Sequence, residues 1–424
     1  MKILAFIGKI FNYFELQNEV GLTMKNKTWF LYFKVIFLLF TSLGYTIVIG
    51  QKSEFNPYKF SADIFEQIKT DSGYYWSGGV ASSDLSFIGL YKEAIIEYDK
   101  PRQSKKTISR TDSANFVSSY HITDAKQFIL KKAKENQILI FNEAHHNPRN
   151  RVFVTSLLAD LKNEGYTYFA AEAFMNDTAF LKDKHPDISP NSYYTCEPQF
   201  GNLVREAVKL GYSLYPYEYM GTTKGFREMG EAKNIELLLK KDPHARIIIY
   251  CGYDHAKEDS VKGWGKAMAG RLKDITGIDP YTIDQIVLSE KYDSAWDNPY
   301  FKMVRSDKYS IPEDKTGDAF NNHSMDALLY SPRTKYIYNR PGWIFENGKN
   351  PYFLEESKIT SAYPILVKAY INATDFKNEV PIDIIEIKNK EDVSKTAIAL
   401  FRKGNFTIKI LNKAGKTQLF KVQK

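Results

Sequence analysis

Three stretches of this 424-residue chain read as apolar runs that stop abruptly on acids and histidines. Ile138 to Phe141 runs into Asn142-Glu143-Ala144-His145-His146, Tyr168 to Ala171 into Glu172, and Ile247 to Tyr250 into Cys251-Gly252-Tyr253-Asp254-His255. Short continuous apolar runs are the signature of parallel strands buried on both faces, and open α/β sheets carry their chemistry just beyond the strand carboxyl ends. Three such endings imply one crevice.

A fourth strand-like run, Ser213 to Tyr217, finishes on Glu218. Between the runs the apolar period is helical: Val152, Leu157, Leu158 and Leu161 form one stripe, and Leu203, Val204, Ala207, Val208 and Leu210 another. Gly165 and Gly211 sit where a helix needs a left-handed residue at its carboxyl end. Strand, helix, strand in repetition predicts an α/β fold with a mostly parallel sheet flanked by helices.

The chain divides into four parts. Residues 1–50 read as a targeting segment, with a signal peptide starting at Met24: Lys25 and Lys27 are its basic end, Val35 to Leu43 its apolar centre, and Val48-Ile49-Gly50 its exit. Export to the periplasm or the extracellular space is expected, with no stable membrane span after leader removal. Residues 51–120 are a helical region ending in a basic linker, Pro101 to Ser113. Residues 121–350 carry the α/β pattern, and residues 351–424 a small antiparallel β module. In that module Pro364 to Tyr370, Pro381 to Ile387, Thr396 to Phe401, Phe406 to Leu411 and Gln418 to Val422 are short strands between turn-rich segments.

The net charge is +8, and five lysines against two glutamates in residues 1–50 leave +5 on the remainder. That is too mild to argue for nucleic acid, and no Arg-rich helix or stacking ladder changes this. The two cysteines, Cys196 and Cys251, are compatible with a disulfide over the crevice or with separate burial.

A lone histidine is more often structural than catalytic, which covers His121, His185, His244 and His323. His145, His146 and His255 each follow a buried strand by five residues or fewer, where side chains face a crevice. Glu143 and Glu172 lie at the same depth, and an acid so close to buried strand is costly unless a cation, a histidine or a metal meets it. Arg151, Arg205 and Arg227 are the candidate counter-charges.

Asn142-Glu143-Ala144-His145-His146-Asn147-Pro148, the Glu172 strand, Arg227-Glu228 with Ala232 and Asn234-Ile235, and Gly252-Tyr253-Asp254-His255 together resemble the erythromycin esterase, ChaN and Tiki superfamily over residues 137–290. His145 aligns with the histidine of ChaN-like members and His146 with that of the esterases. The usual glycine before the first acid is Asn142 here, and a further ChaN-like histidine is Asn150, followed by a matching Arg151. The superfamily holds ester hydrolases, metal-dependent peptidases and haem-binding proteins, so the resemblance implies a small-molecule or peptide substrate without choosing the reaction.

On the hydrolase reading, Glu143 orients a histidine, His145 or His146 is the general base on water, Glu172 assists, Arg227 stabilises the developing oxyanion, and His255 completes the cluster. No Gly-x-Ser-x-Gly elbow occurs, so water is the expected nucleophile. A metal version uses His145, His146, Glu172 and His255 around zinc or manganese. The irregular stretch 176–200 is a candidate lid whose Tyr193 and Tyr194, with Glu218 and Tyr253, would contact substrate. The alternative is a haem or other ligand carrier without turnover, with His146, Tyr253 or the Tyr193-Tyr194 pair as axial ligand.

Overall fold

The computed structural model describes residues 55–424, apart from 72, 78, 176–184, 190–192, 373–375 and 377. The leader expected in residues 1–50 lies outside the described residues. First come α1 (Ser61–Thr70), the single turn Tyr74–Ser77, α2 (Val80–Phe87) and α3 (Tyr91–Asp99). The next helix, α4 (Arg110–Ser119), begins inside the stretch expected as linker, because Ser109 Oγ accepts the Asp112 N–H and caps it.

The α/β region then alternates. Helix α5 (Ala125–Glu135) leads into β1 (Ile138–Glu143), followed by α6 (Arg149–Asn163), β2 (Tyr168–Ala171), α7 (Pro198–Lys209) and β3 (Ser213–Pro216). Helix α8 (Lys224–Lys241), β4 (Ile247–Gly252), α9 (Met268–Thr276), β5 (Tyr281–Asp284) and β6 (Ala327–Leu328) complete it. The six strands form one parallel sheet in the order β6-β5-β1-β4-β2-β3. Gly165 and Gly211 take the left-handed conformation after α6 and α7, at φ 88° and 75°.

Strand pleat sorts the side chains between two layers. Leu139, Phe141, Phe169, Ile248 and Tyr250 face one way, against Phe128 of α5, Leu157 of α6 and Leu203 of α7. Ile138, Ile140, Ala170, Ile247 and Ile249 face the other, against Ile235 and Leu238 of α8 and Leu272 of α9. Because all strands are parallel, Glu143, Glu172, Glu218 and Gly252 leave the sheet at one edge; in the register Glu143 stands opposite Gly252.

The tail forms a four-stranded antiparallel sheet from β7 (Ile365–Ile371), β8 (Asp383–Ile387), β9 (Asn405–Asn412) and β10 (Thr417–Gln423), in the order β8-β7-β9-β10. Ile398–Phe401 pairs instead with Lys349–Tyr352. The N-terminal helices and this tail share one apolar core, in which Tyr58, Ile64, Leu85 and Phe87 meet Leu366, Ile384, Leu400 and Ile408. Gly89 permits the closest approach: at φ 75° a Cβ there would stand 2.1 Å from the Ile384 carbonyl oxygen. Among the described residues no helix is long and apolar enough to cross a membrane.

Candidate active site

Glu143 ends β1 on the face of the sheet that packs α6 and α7, and Arg151 on the first turn of α6 meets it through two bonds, Nε to Oε2 at 2.7 Å and Nη2 to Oε1 at 2.6 Å. The third guanidinium nitrogen, Nη1, bonds Glu197 Oε2 at 2.9 Å, and the same Glu197 oxygen caps α7 by accepting from Gln199 and Phe200. Tyr250 of β4 donates to Glu143 Oε2 at 2.7 Å. Burial alone would raise the Glu143 carboxyl, but Arg151 overcomes it and holds the pKa down to about 2. Glu143 is thus ionised, and His145 uses that: its Nδ1 lies 2.9 Å from Glu143 Oε1.

His145 stacks on Tyr194, with ring centroids 3.9 Å apart, and its other edge lies over Gly252. A Cβ on residue 252 would stand 2.3 Å from His145 Cε1, 2.5 Å from Nε2 and 3.2 Å from Glu172 Oε2. Only glycine lets the ring and the second acid share that spot. An ionised carboxylate at Nδ1 selects the tautomer that donates there and has its lone pair on Nε2. Nε2 has no hydrogen-bond partner among the described residues.

Glu172 accepts the Gly252 N–H at 2.6 Å on one oxygen and Arg227 Nη2 at 2.6 Å on the other. Burial opposes its ionisation, but His255 and Arg227 hold it well below the usual carboxylate range. Arg227, at the start of α8, also reaches Glu218 through Nε at 2.8 Å and Nη2 at 2.5 Å, and its Nη1 is 2.9 Å from His255 Nε2. A guanidinium has five N–H donors. Four are committed, and one on Nη1 remains.

His255 turns its Nδ1 to Glu228 Oε2 at 2.9 Å and Glu231 Oε2 at 3.4 Å. Burial disfavours a charged ring, but Glu172, Glu228 and Glu231 together raise its pKa well above the ordinary value. Arg227 can only donate, so the 2.9 Å contact is a hydrogen bond in the tautomer whose lone pair is on Nε2. Burial pushes the Glu231 carboxyl up to about 8, so that His255 and Glu231 hold one extra proton as a pair.

Glu143, His145, Glu172, Glu218 and Arg227 line one cavity of about 210 Å³, walled by Met175, Tyr193, Tyr194, Phe200 and Tyr250 and floored by Gly252. Tyr193 is held by a hydrogen bond to Asp84 of α2, which also takes Tyr75 and Lys59. Residues 176–184 and 190–192 of the expected lid lie outside the described residues. Cys196 and Cys251 are buried thiols with no disulfide between them.

Three expected residues do not line the cavity: His255 lies behind Arg227, and His146 and Tyr253 sit elsewhere. His146 is turned from the cavity: it stacks on Tyr98 of α3 at 3.7 Å, lies 3.3 Å from the Tyr253 hydroxyl, and burial, with Lys291 nearby, lowers its pKa well below the histidine value. Tyr253, at φ 42°, meets the edge of the His145 ring from outside the cavity lining. His145, His146, Glu172 and His255 therefore do not form one metal set, since His146 points outward and the Nδ1 of His255 inward. Asn142 and Asn150, where the resemblance leads one to expect glycine and histidine, are loop ties: Asn142 holds Gln285 through side chain and backbone, and Asn150 Oδ1 accepts from Ala144.

Sequence reasoning did not place Glu197, Tyr250, Phe200, Met175 or Asp84 in the site. Glu197 had a readable signal, an acid directly before Pro198 at a helix start. Tyr250 had one too, two residues before the glycine on the same face of the strand.

No family model and no curated protein matches the chain. Among solved structures it is similar to the type III effector HopBA1 (12% identity, TM-score 0.28, 40% of this chain and 88% of that one) and to a bacterial protein toxin (15%, 0.30, 53% and 45%). It is also similar to ChaN of Campylobacter jejuni, described with cofacial heme binding (9%, 0.25, 50% and 96%). Likenesses of this strength establish neither a family nor a function.

Proposed function

We propose that the protein is an exported hydrolase that activates water with the Glu143–His145 pair to cleave an ester or amide. The observation that carries this reading is an ionised carboxylate fixing Nδ1 of a histidine whose Nε2 lone pair faces a cavity. Glu143 stabilises the imidazolium that forms when His145 takes a proton from water. The hydroxide attacks the carbonyl carbon, and the remaining N–H of Arg227 meets the developing oxyanion. His145 then returns its proton to the leaving oxygen or nitrogen. Glu172 and Glu218 hold the guanidinium across the cavity, and Tyr194 keeps the ring from rotating. A cavity of about 210 Å³ accepts the scissile group and a small side chain, with the remainder of the substrate outside.

The test is a panel of chromogenic esters and short peptides with the wild-type mature chain and His145→Gln. Turnover in the first and its loss in the second supports the assignment; equal rates would remove His145 from the chemistry.

The aromatic wall favours a second reading, capture of a flat ligand without turnover. Ligand pockets commonly hold about 300–1,000 Å³, so a haem would have to lie across the mouth instead of within the cavity. A Soret shift on adding haemin, absent after Tyr194→Ala, distinguishes that reading. Export rests on the leader read in residues 1–50; an intact mass beginning near Gln51 in the exported fraction tests it.

A further inference from the structure

Behind Arg227 lies a cluster that the hydrolytic step does not use. Glu228 and Glu231 are three residues apart on α8 and so share a face. His255, from the turn after β4, meets both, and ligand atoms of the three residues all lie within 4.8 Å of one another. All three side chains are buried, the two acids completely.

Hydrogen bonds do not account for these acids. Glu228 Oε2 accepts the Met268 N–H at 2.9 Å and approaches His255 Nδ1, but Glu228 Oε1 and both oxygens of Glu231 have no hydrogen bond. Glu231 has only ion-pair approaches, to Arg227 Nε at 3.2 Å and His255 Nδ1 at 3.4 Å. Sealed carboxylate oxygens that form no hydrogen bond are expensive, and a cation among them removes that cost.

We propose that Glu228, Glu231 and His255 bind one divalent transition-metal ion of the zinc or manganese class, with His255 ligating through Nδ1. Two carboxylates, a neutral imidazole and a divalent ion sum to zero charge. The mixed nitrogen and oxygen donors favour zinc or manganese over calcium or magnesium, which take oxygen. Binding releases the cluster's extra proton to solvent and leaves the remaining ring proton on Nε2, facing Glu172 Oε1 at 3.7 Å, so that Arg227 Nη1 gives up its contact with that nitrogen. The ion would then sit one residue behind the guanidinium that faces the cavity and fix its direction, as outer-shell partners fix ligands elsewhere. Of the four metal-ligating residues expected from sequence only His255 belongs to this set.

The experiment strips the full mature chain with a chelator, adds Zn²⁺ or Mn²⁺ separately, desalts, and measures bound metal by mass spectrometry. One ion per chain is expected in the wild type and in His145→Asn. Loss is expected in Glu228→Gln/Glu231→Gln, and Glu231→Gln alone should weaken binding by more than the roughly 10–100-fold that outer-shell changes cost. Circular dichroism and a thermal melt establish that the variants fold; should they not, Co²⁺ added to the wild type reports instead, through paramagnetic broadening of the His255 ring resonances with those of His145 less affected. Substoichiometric metal in the wild type with both ions overturns the proposal. So does an ion kept by the double variant and lost by His145→Asn, which places it in the cavity.

Discussion

The two halves of the crevice solve the same problem, acids at the ends of buried strands, in different ways. Around Glu143 both carboxylate oxygens are paired: Arg151 is bidentate to them, Tyr250 and His145 fill the last positions, and Glu197 takes the remaining arginine nitrogen while capping a helix. Around Arg227 four carboxylates, Glu172, Glu218, Glu228 and Glu231, gather about one guanidinium and one imidazole. The first half is a closed frame that presents a single nitrogen. The second carries surplus acid, and accommodates it by keeping a proton or, on our proposal, a metal ion.

The largest expected effect comes from breaking the closed frame. Arg151→Met leaves Glu143 and Glu197 buried without their cation and should cost about 3–5 kcal/mol in urea denaturation; a loss under 1 kcal/mol would show that the frame is not the tightly paired half. Next, His145→Gln should lower turnover on whichever substrate the panel identifies by roughly 10²–10⁴-fold, the range of general-base contributions, with the melting temperature nearly unchanged. A melt lowered as far as by Arg151→Met would make His145 part of the frame instead of its output.

Gly252→Ala joins the halves, because the added methyl would stand where His145 and Glu172 both approach. Overpacking of that kind costs about 1–3 kcal/mol, and turnover should fall further than stability does. Wild-type turnover in this variant would mean that the ring swings freely.

The smallest effect is in pH dependence, and its sign differs between the halves. The Glu143 pKa is lower folded than unfolded, so its stabilisation is present above pH 4.5 and is lost as pH falls toward about 2. The Glu231 pKa is higher folded than unfolded, so in metal-free protein its contribution is full below pH 4.5 and is lost as pH rises toward about 8. Denaturation midpoints from pH 5 to 8 with a chelator present should therefore fall less steeply in Glu231→Gln than in the wild type; identical slopes would remove the buried proton.

Much of this frame was legible because buried parallel strands announce themselves. β1, β2, β3 and β4 coincide with the apolar runs, and their acids share an edge because parallel strands must share one. β5 and β6 escaped notice: Tyr281–Asp284 is a short run ending on an acid, and Ala327–Leu328 is two residues inside a long irregular stretch. The choice between His145 and His146 was open in sequence since neighbouring residues in a turn point in different directions, and only packing against Tyr98 or Tyr194 separates them. The cluster behind Arg227 depends on a helix face meeting a loop, a tertiary fact that the Glu228 to Glu231 spacing hints at but does not fix.

The bond from Asp84 to Tyr193 bears on the order in which the cavity wall is completed during synthesis. The helices around Asp84 emerge before the parallel sheet, yet their apolar surface is closed by β7, β8 and β9, which emerge after it. A nascent chain that has completed β4 already possesses Glu143, His145 and Arg227 but has no settled anchor for the tyrosine wall, since domains consolidate as units once their non-local contacts exist. The tyrosine wall therefore settles only after β9 has been synthesised.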